Sequence, residues 1–527
     1  MLAFFAIIPV FLAVLLYVIP FEKFAKVLIV LAQAGLTCAA FFLFLETKAG
    51  DVVSNIGNYS YGLGILMRAD NISAIFVLLA SFIFLVAAVY SFNERSNRLF
   101  WFFMFIWEGL LNGIFLSGDM FNIFVLVEVS TIIVAVLIMF HRDRRSMYDG
   151  IVYLMINIIS MQFYLFGIGY MYKITGMLDL EAAAAAIVTL ESSQLAIPYA
   201  LIITSICLKC AIMPLYSWLP KAHGTPGAPS AVSAVLSGLY VKSGLYLFIR
   251  FQSIFYNISM PQVFIILGII TGICGFLFAL SQNDIKLILA YSTISQIGMV
   301  MIGLNLPGTY SYTGSIYHII NHALFKSGLF LCAGIIAGIY KTRDVTKIRG
   351  VFQTMPLVGA ATIMAVLGIA GAPFFNGSIS KYFLMDGAGP VETWAIIFIN
   401  LGTITTFIKY SSMLFGKPLG ALGQEKADKC KQVTVFVLGA ICFAGGMFSD
   451  RFIEFLFDKT MSVDAAGYTE KTIIFLFSVI LGFLLYKLYV KHSRFFKRLR
   501  TIEFSFRFIC GAMGAFFAFT LILVRVM

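Results

Sequence analysis

The sequence predicts an all-α polytopic membrane protein, and three observations carry that reading. Of its 527 residues 61% are hydrophobic and only 12% charged, against about 25% charged in soluble proteins. Apolar runs of about 20 residues, the length of a helix that crosses a bilayer core, recur from end to end. No polar stretch is long enough to enclose a core of its own, which excludes a soluble domain.

In chain order, spans are expected at 3–20, 26–45, 70–92, 100–117, 120–140, 148–171, 196–218, 229–250, 262–281, 285–304, 312–339, 354–385, 391–415, 432–456, 472–490 and 505–526, about 16 helices. Met1 to Pro20 has neither a basic leading segment nor a small-residue cleavage site, so it reads as a spanning helix and not a signal peptide. Residues 172–195, with Asp179, Glu181, five alanines from Ala182 to Ala186 and Glu191, read as a short interfacial helix. Residues 487–507 form a basic arm with Phe495, Phe496 and Phe504, suited to lipid headgroups or a neighbouring subunit.

The net charge of +12 is a topology signal. With the N-terminus outside, basic residues divide roughly 21 to 7 in favour of the inside loops, the bias of cytoplasmic loops. The inside group includes Lys23, Arg95, Arg142, Arg144, Arg145, Arg349, Lys426 and Arg494. Nucleic acid is therefore not an expected partner. The eight cysteines are scattered, and Cys207 and Cys210 lie inside a span, where buried filler is the simpler reading. The sequons Asn58-Tyr59-Ser60 and Asn257-Ile258-Ser259 carry no weight.

The charges inside the spans demand explanation. Each costs on the order of 2.5–3.5 kcal/mol at a helix centre by insertion scales, yet Glu128, Lys209, Lys242, His318, His322 and Lys326 all sit near mid-span. Together they read as a polar path through the bilayer. Pro214 interrupts the span that holds Lys209. Gly371-Ala372-Pro373 and Asn376-Gly377 interrupt another, ahead of Lys381. Two broken spans five helices apart point to two inverted repeats with an ion site at each break. His318, His322 and Lys326, at i, i+4 and i+8, share one helical face over about 12 Å. They read as a proton relay, or as satisfied core histidines beside a snorkelling lysine. Glu128 and Lys209 read as a coupled pair, in which loss of the lysine proton raises the proton affinity of the glutamate, or as a static buried ion pair. Lys242 offers the proton a next site. Glu108 could join the pair, Asp119 could cap a helix or admit ions, and Asp284 and Lys286 open a helix whose hydroxyls could line water or bond neighbouring helices.

Several long segments in order then resemble one family: FNIFVLVEV at Phe121–Val129, KCAIMPLYSWLP at Lys209–Pro220, AHGTPGAPSAVSAVLSGLYVKSGLYLFIR at Ala222–Arg250, DIKLILAYSTISQIG at Asp284–Gly298 and HIINHALFKSGLF at His318–Phe330. The chain resembles the antiporter-like subunits shared by respiratory complex I, membrane-bound hydrogenases and Mrp-type multisubunit cation/proton antiporters, and its GDMFNIFVLVEV wording looks most like the Mrp D-type subunit. The resemblance implies a core of about 14 helices with two inverted five-helix repeats, helices 4–8 and 9–13, broken in helices 7 and 12. It divides the chain into 1–99, 100–250, 262–415 and 432–527. It implies that Glu128 and Lys209 are the coupled pair, Lys242 the bridging lysine, His318, His322 and Lys326 the relay, and Lys381 the terminal lysine, with Pro214 and Pro373 marking the breaks. Two departures stand out: many relatives carry a carboxylate in the loop that here reads His223-Gly224-Thr225-Pro226-Gly227, and about two extra C-terminal helices with their basic arm exceed the family core and are expected to contact a neighbouring subunit.

The expected function is proton translocation within a multisubunit Mrp-like monovalent cation/proton antiporter, with sodium a candidate exchanged cation and other membrane subunits as partners. No cofactor or metal site is expected, because neither a cysteine ligand cluster nor a Gly-rich nucleotide loop is present. The competing assignment is a pumping subunit of a complex I-like NADH:quinone oxidoreductase or a membrane-bound hydrogenase. A stand-alone solute transporter and a purely structural anchor complete the alternatives.

Overall fold

The computed structural model describes residues 1–18, 22–57, 64–94, 98–418 and 427–526. Arg95, Lys426 and the Asn58-Tyr59-Ser60 sequon lie outside the described residues. Within them the chain is nearly all helical. Fourteen helices are long and apolar enough to cross a membrane, and Phe4–Val18 and Pro356–Ala370 are shorter apolar helices. It is an integral membrane protein.

Three features differ from the expected element order. A two-stranded hairpin, Val52–Ile56 paired antiparallel with Ile65–Ala69, lies between the second and third expected spans. The span expected at 432–456 divides into Lys429–Met447 and Ser449–Phe457. The basic arm folds back on the protein: its helix Arg494–Arg500 buries Phe496 against Phe276, Leu280 and Val490. Arg500 Nε also donates to the Ser281 carbonyl at 2.6 Å, which caps the helix Pro261–Ser281. The short helix expected within 172–195 is Leu180–Ile187, capped by Asp179.

The chain forms two compact units, one of Met1–Ala228, Leu239–Ser259 and Phe504–Met527, the other of Pro229–Gly238 and Met260–Glu503. Each contains the same succession of parts. In the first, Asp119 caps the helix Met120–Ile138 and forms an isolated bridge with Asp179. In the second, Asp284 caps Ile285–Leu304 and forms the matching bridge with Asp344, at the same interval along the chain. A broken helix follows in each: Ser192–Lys209 then Trp218–Gly224, and Pro356–Ala370 then Asn376–Leu384.

The two breaks share one backbone pattern. In the first, Ala211 N bonds Leu208 O (2.9 Å), Ile212 N bonds Cys207 O (3.1 Å) and Leu215 N bonds Ile212 O (2.6 Å). In the second, Gly371 N bonds Gly368 O (3.1 Å), Ala372 N bonds Leu367 O (2.9 Å) and Phe375 N bonds Ala372 O (3.1 Å). Ala211 and Gly371 both take a positive φ, 55° and 78°. A left-handed residue closes a helix C-terminus because its turned amide satisfies a carbonyl that has lost its i+4 partner. In a bilayer the remaining carbonyls must still find donors. Lys381 Nζ supplies one to Ile369 O at 2.6 Å, and Trp218 Nε1 adds a second donor, at 2.7 Å, to Leu208 O, which Ala211 N already bonds.

Small residues set close packing between helices, as expected where lipid removes the usual hydrophobic drive between them. Ser295 Oγ donates to the Gly272 carbonyl at 2.9 Å, a direct contact of Ile285–Leu304 with Pro261–Ser281. Gly244 lies against the backbone of Lys209 and Cys210.

Candidate functional site

In the first unit, Lys209 ends the first half of its broken helix and is buried. Its Nζ donates to Thr131 Oγ1 at 2.9 Å and Tyr240 OH at 3.3 Å. Tyr240 OH also meets Thr131 Oγ1 and Tyr153 OH, each at 3.1 Å. The ammonium is thus set in a cluster of three hydroxyls, each able to give and accept a proton. Tyr240 closes a widened π-type turn, Leu236–Tyr240, inside the helix Ser230–Ile254, and the fully buried Lys242 follows two residues later. Single π turns are frequent at functional sites.

Glu128 lies one turn before Thr131 on the same helix face. It is half-buried and one of its carboxylate oxygens has no hydrogen-bond partner. No ion pair within 4 Å joins it to Lys209 among the described residues; the lysine charge acts on it through space. Direct contact with the lysine belongs to Thr131 and Tyr240. Glu108 is drawn elsewhere, accepting from Gln33 Nε2 at 2.6 Å.

In the second unit, His318 Nδ1 meets Ser380 Oγ at 2.8 Å and its Nε2 meets Gln296 Oε1 at 3.2 Å. Gln296 Nε2 continues to Thr403 Oγ1 at 3.1 Å. The His322 ring follows 6.3 Å from that of His318. Lys326 Nζ then donates to Leu289 O at 2.8 Å and to Ser292 Oγ. His318 and Lys326 therefore face the same helix, Ile285–Leu304, from positions about two turns apart. Counted from their capping aspartates, Gln296 and His318 occupy the positions held by Thr131 and Tyr153 in the first unit. Lys381 Nζ donates to Asn400 Oδ1 at 2.7 Å as well as to Ile369 O.

The accessory acids act as caps. Asp119 accepts from Asn122 N at 2.6 Å, and Asp284 accepts from Lys286 N at 2.8 Å and pairs with Arg343 Nε at 2.7 Å. Burial pushes the Asp119 carboxyl up, and the Asp179 charge adds to the push against hydrogen bonds from Asn122 and Phe121. The loop that lacks its own acid, 223–227, borrows one. Ser146 Oγ accepts from Gly227 N at 2.8 Å and Thr225 Oγ1 at 2.5 Å while donating to Asp143.

Sequence reasoning missed Thr131, Tyr153, Tyr240, Ser380, Asn400 and Lys409. Hydroxyl and amide residues are common in helices, so only their spacing from the capping aspartates could have marked Thr131 and Tyr153. Lys409 carried a plainer signal, a cation inside an apolar span. It is buried, and its Nζ caps Pro261–Ser281 through Leu280 O (2.9 Å) and Gln282 O.

The profile of the NADH:quinone oxidoreductase/Mrp antiporter transmembrane family matches residues 117–408, which hold both broken helices and the histidine series. The chain belongs to this family. It is 31% identical over 387 residues to the D-type subunit of the Na(+)/H(+) antiporter of Alkalihalophilus pseudofirmus, covering 71% of this chain and 78% of that one. It is 30% identical over 347 residues to the N-type subunit of the NADH-quinone oxidoreductase of Desulforudis audaxviator, covering 63% of this chain and 68% of that one. Its fold matches a chain of the Mrp complex from Dietzia sp. DQ12-45-1b with a TM-score of 0.79, at 20% identity over 95% of this chain and 99% of the other.

Proposed function

We propose that the chain is a proton-translocating membrane subunit of a multisubunit Mrp-like monovalent cation/proton antiporter. It lies in the cell membrane with its N-terminus outside and works with other membrane subunits. Protons pass Glu128, Lys209 and Lys242 in the first unit and His318, His322, Lys326 and Lys381 in the second. The observation that carries this reading is the buried Lys209 at a helix break, held by two hydroxyls of a three-hydroxyl cluster and not by a contact ion pair. An ammonium held this way can release its proton without leaving a carboxylate stranded at bonding distance, which suits transfer better than static cross-linking.

The test is sodium-driven pH change in proteoliposomes of the intact complex bearing Glu128→Gln or Lys209→Ala. Loss of coupling by more than about tenfold is expected for each, since one pKa-scale interaction of about 1.4 kcal/mol is a factor of ten. Normal assembly with unchanged coupling would refute the reading. The likeness to a quinone oxidoreductase subunit favours a second reading, proton pumping driven by redox partners. Purifying the chain with its partners separates the two, because only the second predicts co-purifying redox centres.

A further inference from the structure

The proton route proposed above leaves Glu108 unused, although it is fully buried near the middle of the helix Arg98–Leu116. A carboxylate at that depth needs a proton or a cation, because its charge alone in an apolar interior is too costly to persist. Among the described residues no lysine, arginine or histidine pairs with it. Neutral oxygen surrounds it instead. Gln33, near the middle of Glu22–Thr47, donates Nε2 to Glu108 Oε2 at 2.6 Å. Ser81, near the middle of Asn71–Tyr90, faces the carboxyl group with its hydroxyl. Asn112 follows Glu108 by four residues and shares its helix face. All four side chains are fully buried.

Both amides are fixed in orientation. Pro9, inside the helix Phe4–Val18, has no N–H to offer the Phe5 carbonyl four residues earlier. Asn112 Nδ2 supplies that donor at 3.3 Å, which leaves Asn112 Oδ1 as the free end of the amide. Gln33 commits its Nε2 to the carboxylate, and its Oε1 is left free in the same way. Four shielded oxygens result: Gln33 Oε1, Ser81 Oγ, Glu108 Oε1 and Asn112 Oδ1 have no hydrogen-bond partner among the described residues. The two amide oxygens and an ionised carboxylate can only accept. A proton on Glu108 serves one of these oxygens and a water molecule two at most, whereas a cation draws on all of them at once.

We propose that Glu108, Gln33, Ser81 and Asn112 form a binding site for a dehydrated alkali cation such as sodium, held by one carboxylate and three neutral oxygens. Carboxylate, amide carbonyl and hydroxyl oxygens are the ligands that hard cations take. The charge count selects a monovalent ion. One carboxylate balances one positive charge, so sodium leaves the cluster neutral, whereas a divalent ion leaves net charge buried at the middle of the bilayer. Three helices, Glu22–Thr47, Asn71–Tyr90 and Arg98–Leu116, bring these ligands together, and the Asn112 bond to Phe5 ties in a fourth, Phe4–Val18. Binding here does not rest on the proton route through Glu128 and Lys209.

Equilibrium binding of radiolabelled sodium to the purified intact complex, at constant ionic strength, tests the site. Glu108→Gln should remove one bound sodium per complex. Ser81→Ala is a small change that deletes a single neutral ligand, and it should raise the half-saturating sodium concentration of this site by on the order of tenfold. An assembled Glu108→Gln complex that binds as much sodium as the parent overturns the proposal. So does a Ser81→Ala complex with the parent's half-saturation, a measurement that decides the matter where Glu108→Gln does not assemble. Either result means that a proton alone neutralises Glu108. Binding is read without turnover, so its outcome is separate from that of the Glu128 and Lys209 transport experiment.

Discussion

Replacing Gly244 by alanine should disable the Lys209 site from behind. A Cβ built there stands 2.8 Å from the Lys209 carbonyl carbon, 2.9 Å from Cys210 N and 3.0 Å from Lys209 O. All three are backbone atoms, and ordinary contact begins at 3.4 Å, so the helix Ser230–Ile254 must retreat by about 0.6 Å. Overpacking of this kind costs about 1–3 kcal/mol. A functional loss accompanies it. The bond from Lys209 Nζ to Tyr240 OH is already 3.3 Å long, and the retreating helix carries Tyr240 with it, beyond hydrogen-bonding range. Misplacement near 1 Å costs on the order of a hundredfold in a positioned reaction, so a loss of at least about tenfold is expected here. Thermal unfolding of the purified complex and sodium-driven pH change in vesicles measure the two effects. Gly169→Ala is the control, since a Cβ there meets nothing within 4 Å. Parent-like melting and transport in Gly244→Ala would refute the claim that this helix is seated on the break.

Two further outcomes follow from single contacts. Thr131→Val keeps the shape of the side chain but removes an acceptor from a buried ammonium, which should cost about 1.5–3 kcal/mol. Thr131→Ser should restore both melting temperature and transport. At Asp70, burial pushes the carboxyl up, but the hydrogen bond and charge of Arg250, with help from Ser73, pull it further down, below the usual range. Its stabilisation should therefore be complete above about pH 4, the unfolded value, and fade as pH falls through the lower folded value. Asp70→Asn should lose about 2 kcal/mol at neutral pH, between the exposed and buried limits for ion pairs. It should also flatten the acid limb of a melting-temperature profile; an unchanged limb would refute the assignment.

The spans were legible because a bilayer demands long apolar helices, and the breaks because proline and glycine interrupt them visibly at Pro214 and Gly371. The lysines were legible as energetic anomalies. The hairpin was not: Val52–Ile56 and Ile65–Ala69 are five residues each and carry too little pattern to stand out beside the spans. Nor was the partner of Lys209. Opposite charge suggested Glu128, whereas the widened turn at Leu236–Tyr240 alters the helical register and presents Tyr240 instead. Helical spacing alone does not foresee such a turn. The basic arm was read from composition, yet Phe496 finds a pocket within its own chain, a contact that only the packing of Phe276 and Leu280 defines.

What the two units hold in common at Ala211 and Gly371 is the backbone turn and its hydrogen bonds; the lysine hangs before the turn in one, as Lys209, and after it in the other, as Lys381. The turn therefore does not need the charge in one fixed place, and either arm can carry a lysine without altering the helix that bends there.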